Sequence, residues 1–142
     1  MPIAPLLRRE RVSTSERALD RQDALAVVAD LLGQTGAFDA LRQREQMGST
    51  AIGHGVAVPH GRIAGLHEPS GAFLRLAKPT LFDEQEVDLV FALLMPAENP
   101  QLHLHALADV AALFSDESFR ERLRNAVDDD ALFHLLSEGA SS

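Results

Sequence analysis

The chain carries six histidines and no cysteine, so its reactive groups are imidazoles, hydroxyls and carboxylates. The lack of cysteine excludes a disulfide framework, Cys-ligated zinc, a thiol nucleophile and iron–sulfur chemistry. The densest chemistry lies between Arg44 and Arg62, where Gly48, Gly53, Gly55 and Gly61 are interspersed with Ser49, Thr50, His54 and His60. Glycines and short polar residues at this density expose backbone amides and permit close approach, which suits an anion. A P-loop is excluded, because no Gly-Lys-Ser/Thr occurs in the segment. His60 follows Pro59, the expected end of a strand, and a sheet end is where ligands commonly approach. A neutral imidazole with one nitrogen bare and the other donating to a fixed acceptor is a competent nucleophile. Phosphoryl transfer asks little more: in-line positioning, charge on the equatorial oxygens and exclusion of water. Arg44 and Arg62 have the right charge for that role. Taken alone, however, His60 reads as a solvated loop histidine, and Arg44 as an exposed helix arginine paired with an acid such as Asp39.

His103-Leu104-His105 forms a second cluster. On a strand both rings would share one face, as in some zinc sites. On a helix they diverge by roughly two hundred degrees. The residues that follow have helical spacing, so His103, sharing a face with Leu107 and Ala111, is expected to point inward. His105 is expected to point outward and is the fallback for the same role. His54 reads as a partly buried strand residue, and His67 and His134 belong to no constellation. A metal site on His54, His60 and the His103/His105 pair lacks a carboxylate at ligand spacing, so no metal and no cofactor is expected. Asp128 to Asp130 read as a helix cap rather than a cation site. Ser49 and Thr50 resemble nucleophiles, but no Ser/His/Asp order is evident.

These residues need elements to hold them. Asp20 is an expected N-cap for a helix carrying Ala24, Val27, Val28, Leu31 and Leu32, with Gly33 as its stop. A short helix is expected from Asp39, carrying Leu41, Arg44, Glu45 and Met47 and ending at Gly48. Ile52, His54, Val56 and Val58 alternate with Gly53, Gly55 and Ala57, which predicts one strand with a bulky and a bare face, ended by Pro59. Gly71 to Leu76 predicts a second strand, closed by Lys78-Pro79, and Val87 to Met95 a third, buried on both faces. After Pro100 one helix is expected to carry Leu104, Leu107, Ala108, Ala111 and Phe114. Another, capped by Asp116, is expected to carry Phe119, Leu123 and Val127, and a last one Leu132, Leu135 and Leu136. Glu138 to Ser142 reads as a frayed tail. The pattern predicts a single α/β domain over residues 1–142 (core about 5 to 137), with a small sheet sandwiched by helices.

Composition narrows the function. Thirteen Lys and Arg against 21 Asp and Glu give a net charge of −8, which repels a phosphate backbone and argues against nucleic acid. There is no Trp or Tyr for a stacking platform. The longest apolar run, Leu89 to Met95, suits a buried strand and not a membrane span, and Ile3 to Leu7 lies before its arginines, unlike a signal peptide. A cytoplasmic protein without membrane insertion is expected.

The run Arg44-Glu45-x-x-Gly48-Ser49-Thr50-x-Ile52-Gly53-x-Gly55-x-Ala57-x-Pro59-His60-Gly61-Arg62 resembles the signature of type-2 enzyme IIA proteins of the phosphoenolpyruvate phosphotransferase system. Val87 to Leu94 and His103-Leu104-x-x-Leu107 agree with it. The resemblance implies an α/β fold with a mixed β-sheet flanked by helices. It implies that His60 accepts a phosphoryl group, on Nε2, from the phosphohistidine of an HPr-like carrier. It aligns His103 with the family's supporting histidine and Arg44 with its phosphate-side arginine. Gly61, Arg62, Ser49 and Thr50 are then candidates for the phosphate site. Gly-Ser-Thr-x-Ile-Gly and Pro-His-Gly-Arg resemble the nitrogen-regulatory branch, as does the expectation that the chain stands alone without a fused transport domain. That branch implies an NPr-type carrier and downstream regulatory targets chosen by phosphorylation state. The alternatives are a fructose/mannitol-type IIA passing phosphate to a IIB component, and a binding module acting without phosphate. The stretch from Lys78 to Val87 is shorter than the family's usual, so a trimmed surface loop is expected there.

Overall fold

The computed structural model describes residues 3–139. Two short 3₁₀ turns, Ala4–Leu6 and Arg9–Arg11, lead into β1 (Val12–Ser15), followed by α1 (Arg21–Leu32) and α2 (Ala37–Gln46). Then come β2 (Ala51–Gly53), β3 (Val56–Ala57), β4 (His60–Ile63), β5 (Ser70–Phe82) and β6 (Gln85–Pro96). Three helices close the chain: α3 (Pro100–Phe114), α4 (Glu117–Asn125) and α5 (Asp129–Glu138). The strands form one mixed sheet in the order β1-β5-β6-β3-β2, with β4 also on β6.

β6 organises the molecule. Leu89, Phe91, Leu93 and Met95 face a core shared with α3, α4 and α5. Val90, Ala92 and Leu94 face a second core shared with α1 and α2. Successive side chains point to opposite faces, so a strand covered on both sides reads as an unbroken apolar run. Each large side chain moved out of water there contributes about 1.5–3 kcal/mol. Phe114 centres an aromatic cluster, with ring centroids 6.2 Å from Phe73, 5.8 Å from Phe91 and 5.6 Å from Phe119.

The caps at Asp20, Asp116 and Asp128 form as expected, each side chain accepting an amide three residues on. Gly33 ends α1 with φ 69°, a left-handed conformation that glycine adopts without strain. Several expectations need correction. The stretch around His54 is not one strand but a hairpin: β2 and β3 pair antiparallel around a turn in which Gly53, His54 and Gly55 have φ of 96°, 58° and 81°. His54 is therefore exposed at a turn. Histidine is among the residues that more often tolerate positive φ. β5 does not stop at Lys78-Pro79 but runs to Phe82, with its register to β6 shifted between Arg75 and Thr80. Pro79 lies inside that shift, where no ladder donor is required. The expected trimmed loop is a hairpin turn at Asp83-Glu84, between Phe82 and its partner Gln85. β1 was not anticipated; its polar Val-Ser-Thr-Ser becomes a strand by parallel pairing with Phe73 to Leu76. α2 starts at Ala37 rather than Asp39. α3 buries His103, Ala106, Val110 and Phe114, while Leu104 is exposed. α4 ends at Asn125, so Val127 falls outside it and is 89% exposed. Glu138 still belongs to α5, and the end of the expected frayed tail lies outside the described residues.

Candidate functional site

Pro59 divides the stretch beside β6 into β3 and β4, which both run parallel to β6. Proline has no N–H to donate, yet its carbonyl still accepts from Leu93 N–H at 2.9 Å, so the chain stays on the sheet and resumes pairing at His60. His60 is half-buried, and its Nδ1 lies 2.8 Å from the Val58 carbonyl. A carbonyl accepts only, so Nδ1 carries the proton and Nε2 holds the lone pair.

α3 begins beside it. Asn99 caps the helix by accepting Leu102 N–H at 3.2 Å, and Pro100 fills the first turn. This start puts His103 on the inward face, its ring centroid 5.4 Å from that of His60 at an interplanar angle of 57°. On the other side, α2 presses onto β4. A Cβ on Gly61 would lie 2.8 Å from the Ala40 Cβ and 3.0 Å from the Ala40 carbonyl carbon, so only glycine allows this approach. The approach brings Arg44, in the last turn of α2, to the histidines. Gln43, Arg44, Met47, His60, Arg62 and His103 are among the residues lining the resulting cleft of about 470 Å³. Arg44 Nη1 donates to Gly48 O at 2.9 Å, while the Arg62 side chain makes no hydrogen bond or ion pair with another described residue.

Burial lowers the pKa of His60 below the usual histidine value, and the positive charges of Arg44 and Arg62 push the same way. The bond to Val58 and the Glu45 carboxylate oppose them. His103 is also lowered, first by burial and then by His60, Arg62 and Arg44. Both rings are thus held neutral at neutral pH, with guanidinium groups beside them. A neutral nucleophile flanked by fixed cations can receive an anionic group without first losing a proton.

The structure brings together His60, His103, Arg44, Gly61 and Arg62. Ser49 and Thr50 border His60 on its other side, where a pocket of about 240 Å³ is also lined by Arg44, Ile52, Val58 and Leu107. Their hydroxyls are engaged within the chain. Thr50 donates to Glu45 at 2.6 Å, and Ser49 donates to Phe82 O at 3.4 Å while accepting from Ala51 N–H at 3.1 Å. His105 is exposed on the far side of α3 and does not join the site. Asp39 pairs with Arg42 at 3.5 Å, not with Arg44. Among the described residues no group of three or more His, Asp or Glu could hold a metal ion. Sequence reasoning missed Glu45, 5% exposed, and the Val58 carbonyl. Glu45 stands beside Arg44 in the signature run, but its burial is not legible there, and any residue type supplies a carbonyl.

Residues 5–139 match the family described as "Phosphoenolpyruvate-dependent sugar phosphotransferase system, EIIA 2". The chain belongs to this family. Within it, the nitrogen regulatory protein of Bradyrhizobium diazoefficiens is 40% identical over 96% of this chain and 95% of its own length. That of Escherichia coli K12 is 34% identical over 97% of this chain and 91% of its own length. The crystal structure of nitrogen regulatory protein IIA-Ntr from Neisseria meningitidis superposes with a TM-score of 0.85 at 33% identity. That match covers 94% of this chain and 98% of the Neisseria one. This IIA chain thus falls with the nitrogen-regulatory members. As a phosphotransferase-system component it has a transferase role, and no helix among its described residues is long and apolar enough to cross a membrane.

Proposed function

We propose that this protein is a cytoplasmic phosphohistidine relay and regulator, with His60 as the acceptor. An HPr-like carrier of the NPr type presents its phosphohistidine to the cleft. The His60 Nε2 lone pair forms the new P–N bond as the bond to the carrier's imidazole breaks, and that electron pair leaves with the carrier's ring. Nδ1 keeps its proton on Val58 throughout. Arg44 and Arg62 neutralise the equatorial oxygens, and His103 supports the transferred group from α3. A phosphoryl group adds close to two negative charges at neutral pH, enough to alter which surfaces dock around the cleft. Downstream regulatory proteins would then be chosen by phosphorylation state.

The observation that carries this reading is the 2.8 Å contact of His60 Nδ1 with Val58 O, because it leaves Nε2 bare between two arginines and a second histidine. The test is incubation with phosphoenolpyruvate, enzyme I and an NPr-type carrier, with intact mass read before and after mild acid. One acid-labile phosphoryl group, absent in His60→Ala, is expected; labelling retained in His60→Ala overturns the assignment. Transfer onward to a IIB component is the second reading. It is favoured by 30% identity to the fructose-specific EIIA component of Haloferax volcanii and would show as discharge of the phosphorylated protein by such a component.

A further inference from the structure

Glu45 is the only buried carboxylate among the described residues. Burying a carboxylate is unfavourable unless its oxygens are satisfied. Here Oε2 accepts the Thr50 N–H at 2.9 Å and Oε1 accepts the Thr50 hydroxyl at 2.6 Å. Arg21 Nη1 stands 3.9 Å from Oε2, beyond a hydrogen bond, and donates instead to Asp83 at 2.8 Å. The carboxylate is therefore committed to Thr50 rather than to a close salt bridge.

Thr50 does not stop there. Its carbonyl accepts the Val58 N–H at 3.0 Å, and the Val58 carbonyl accepts from His60 Nδ1 at 2.8 Å. Hydrogen bonds thus run in series from Glu45 through Thr50 and Val58 to the imidazole. Pro59 stiffens the last link, since its ring fixes φ between the acceptor and the histidine. Arg44 and Glu45 are adjacent on α2, so one helix turn presents a cation to the cleft and an anion to the loop behind it.

We propose that Glu45 is a positioning residue for His60: by holding Thr50 it sets the place of Val58, which keeps the Nδ1 proton on Val58 and Nε2 bare toward the cleft. The proposal rests on the reading of His60 as phosphoryl acceptor. Its negative charge also opposes Arg44 and Arg62 at the imidazole, which preserves the basicity of Nε2. In this respect Glu45 resembles the third member of a catalytic triad, acting through intervening groups instead of touching the ring.

The test uses the whole protein and two readouts. The first is the tautomer of His60 from two-bond ¹H–¹⁵N spectra above neutral pH, assigned by its loss in His60→Gln. The second is the single-turnover rate of phosphoryl transfer from the phosphorylated carrier. Wild type is expected as the Nδ1–H tautomer. Glu45→Ala is expected to show a mixture of tautomers and a rate lower by about 10- to 100-fold, the scale of an ångström-level misplacement. Glu45→Gln, which still offers an oxygen to the Thr50 N–H, is expected to recover the tautomer and most of the rate. A folded Glu45→Ala that keeps the wild-type tautomer and rate overturns the proposal. Should Glu45→Ala not fold, Glu45→Asp, one methylene short of Thr50, faces the same test with the same overturning result. A wild-type protein that takes no phosphate from any carrier instead refutes the relay reading, while the tautomer comparison still judges Glu45.

Discussion

Adding one methyl group to the protein, by Gly61→Ala, tests whether the approach of α2 to β4 builds the cleft. The new Cβ would sit 2.8 Å from the Ala40 Cβ, 3.0 Å from its carbonyl carbon and 3.1 Å from its carbonyl oxygen. Ordinary carbon–carbon contact begins near 3.5 Å, so helix and strand must part by about 0.7 Å. Two of the three atoms are backbone, so no side-chain rotation relieves the clash. The φ of Gly61 is not positive, so the substitution adds no backbone strain of its own. Overpacking of this kind costs about 1–3 kcal/mol, offset by about 0.4–1 kcal/mol from a less flexible unfolded chain. A net loss of about 0–2.6 kcal/mol follows, about 1.3 kcal/mol at the midpoints, read as a Tm lower by about 3–5 °C. The larger consequence falls on the cleft. Arg44 rides on α2 and His60 on β4, so the parting separates the cation from the imidazole, and transfer should slow by about 10-fold or more. Thermal unfolding and single-turnover phosphotransfer measure the two effects. Ala40→Gly in the same chain removes the 2.8 Å contact but leaves the backbone ones, so it should restore only part of each loss. A Gly61→Ala protein as stable and as fast as wild type would refute the argument.

The pH dependence follows from the lowered pKa of His60 and His103. The unfolded chain takes up protons near the usual histidine value of 6.5, whereas the folded one resists until lower pH. Stability is therefore complete above about 6.5 and declines as pH falls below it; urea midpoints should fall from pH 7.5 to 5.5, and less steeply in His60→Gln/His103→Gln. The transfer rate should show an acid limb with an apparent pKa below 6.5, since only the neutral ring is nucleophilic. Arg44→Met should lower the single-turnover rate by about 10²-fold, the scale seen when one preorganised transition-state donor is removed, with Arg44→Lys partly restoring it. His103→Ala should slow transfer while leaving His60 able to take phosphate, whereas exposed His105 should tolerate alanine without change; equal effects at both positions would contradict the facing seen in α3.

Much of this was readable because the residues involved faced one constraint. Leu89 to Met95 are apolar at every position, and only a strand covered on both faces asks for that. Asp20 and Gly33 bracket α1 by local chemistry that owes nothing to the rest of the fold. The inward turn of His103 follows from its helical spacing to Leu107 and Ala111. The Gly53-His54-Gly55 turn was hidden because alternating glycines suit a bare strand face as well as positive φ. β1 was hidden because its polar residues acquire their conformation from β5, which lies far along the chain. The burial of Glu45 comes from the loop that folds back over it, and the role of Val58 depends on a backbone oxygen that sequence does not display.

The placement of β6 at the centre of the sheet has a consequence for synthesis. His60 is held by a strand that pairs with Leu93, and its neighbouring ring arrives on α3 later still. Chains leave the ribosome N-terminus first, so the signature loop emerges well before the strand that supports it. A nascent or prematurely terminated chain ending before β6 carries His60 but neither the strand that holds it nor the second ring. On the proposed relay reading, such fragments would take no phosphate from a carrier, because the acceptor ring is in place only once β6 and α3 have joined the fold.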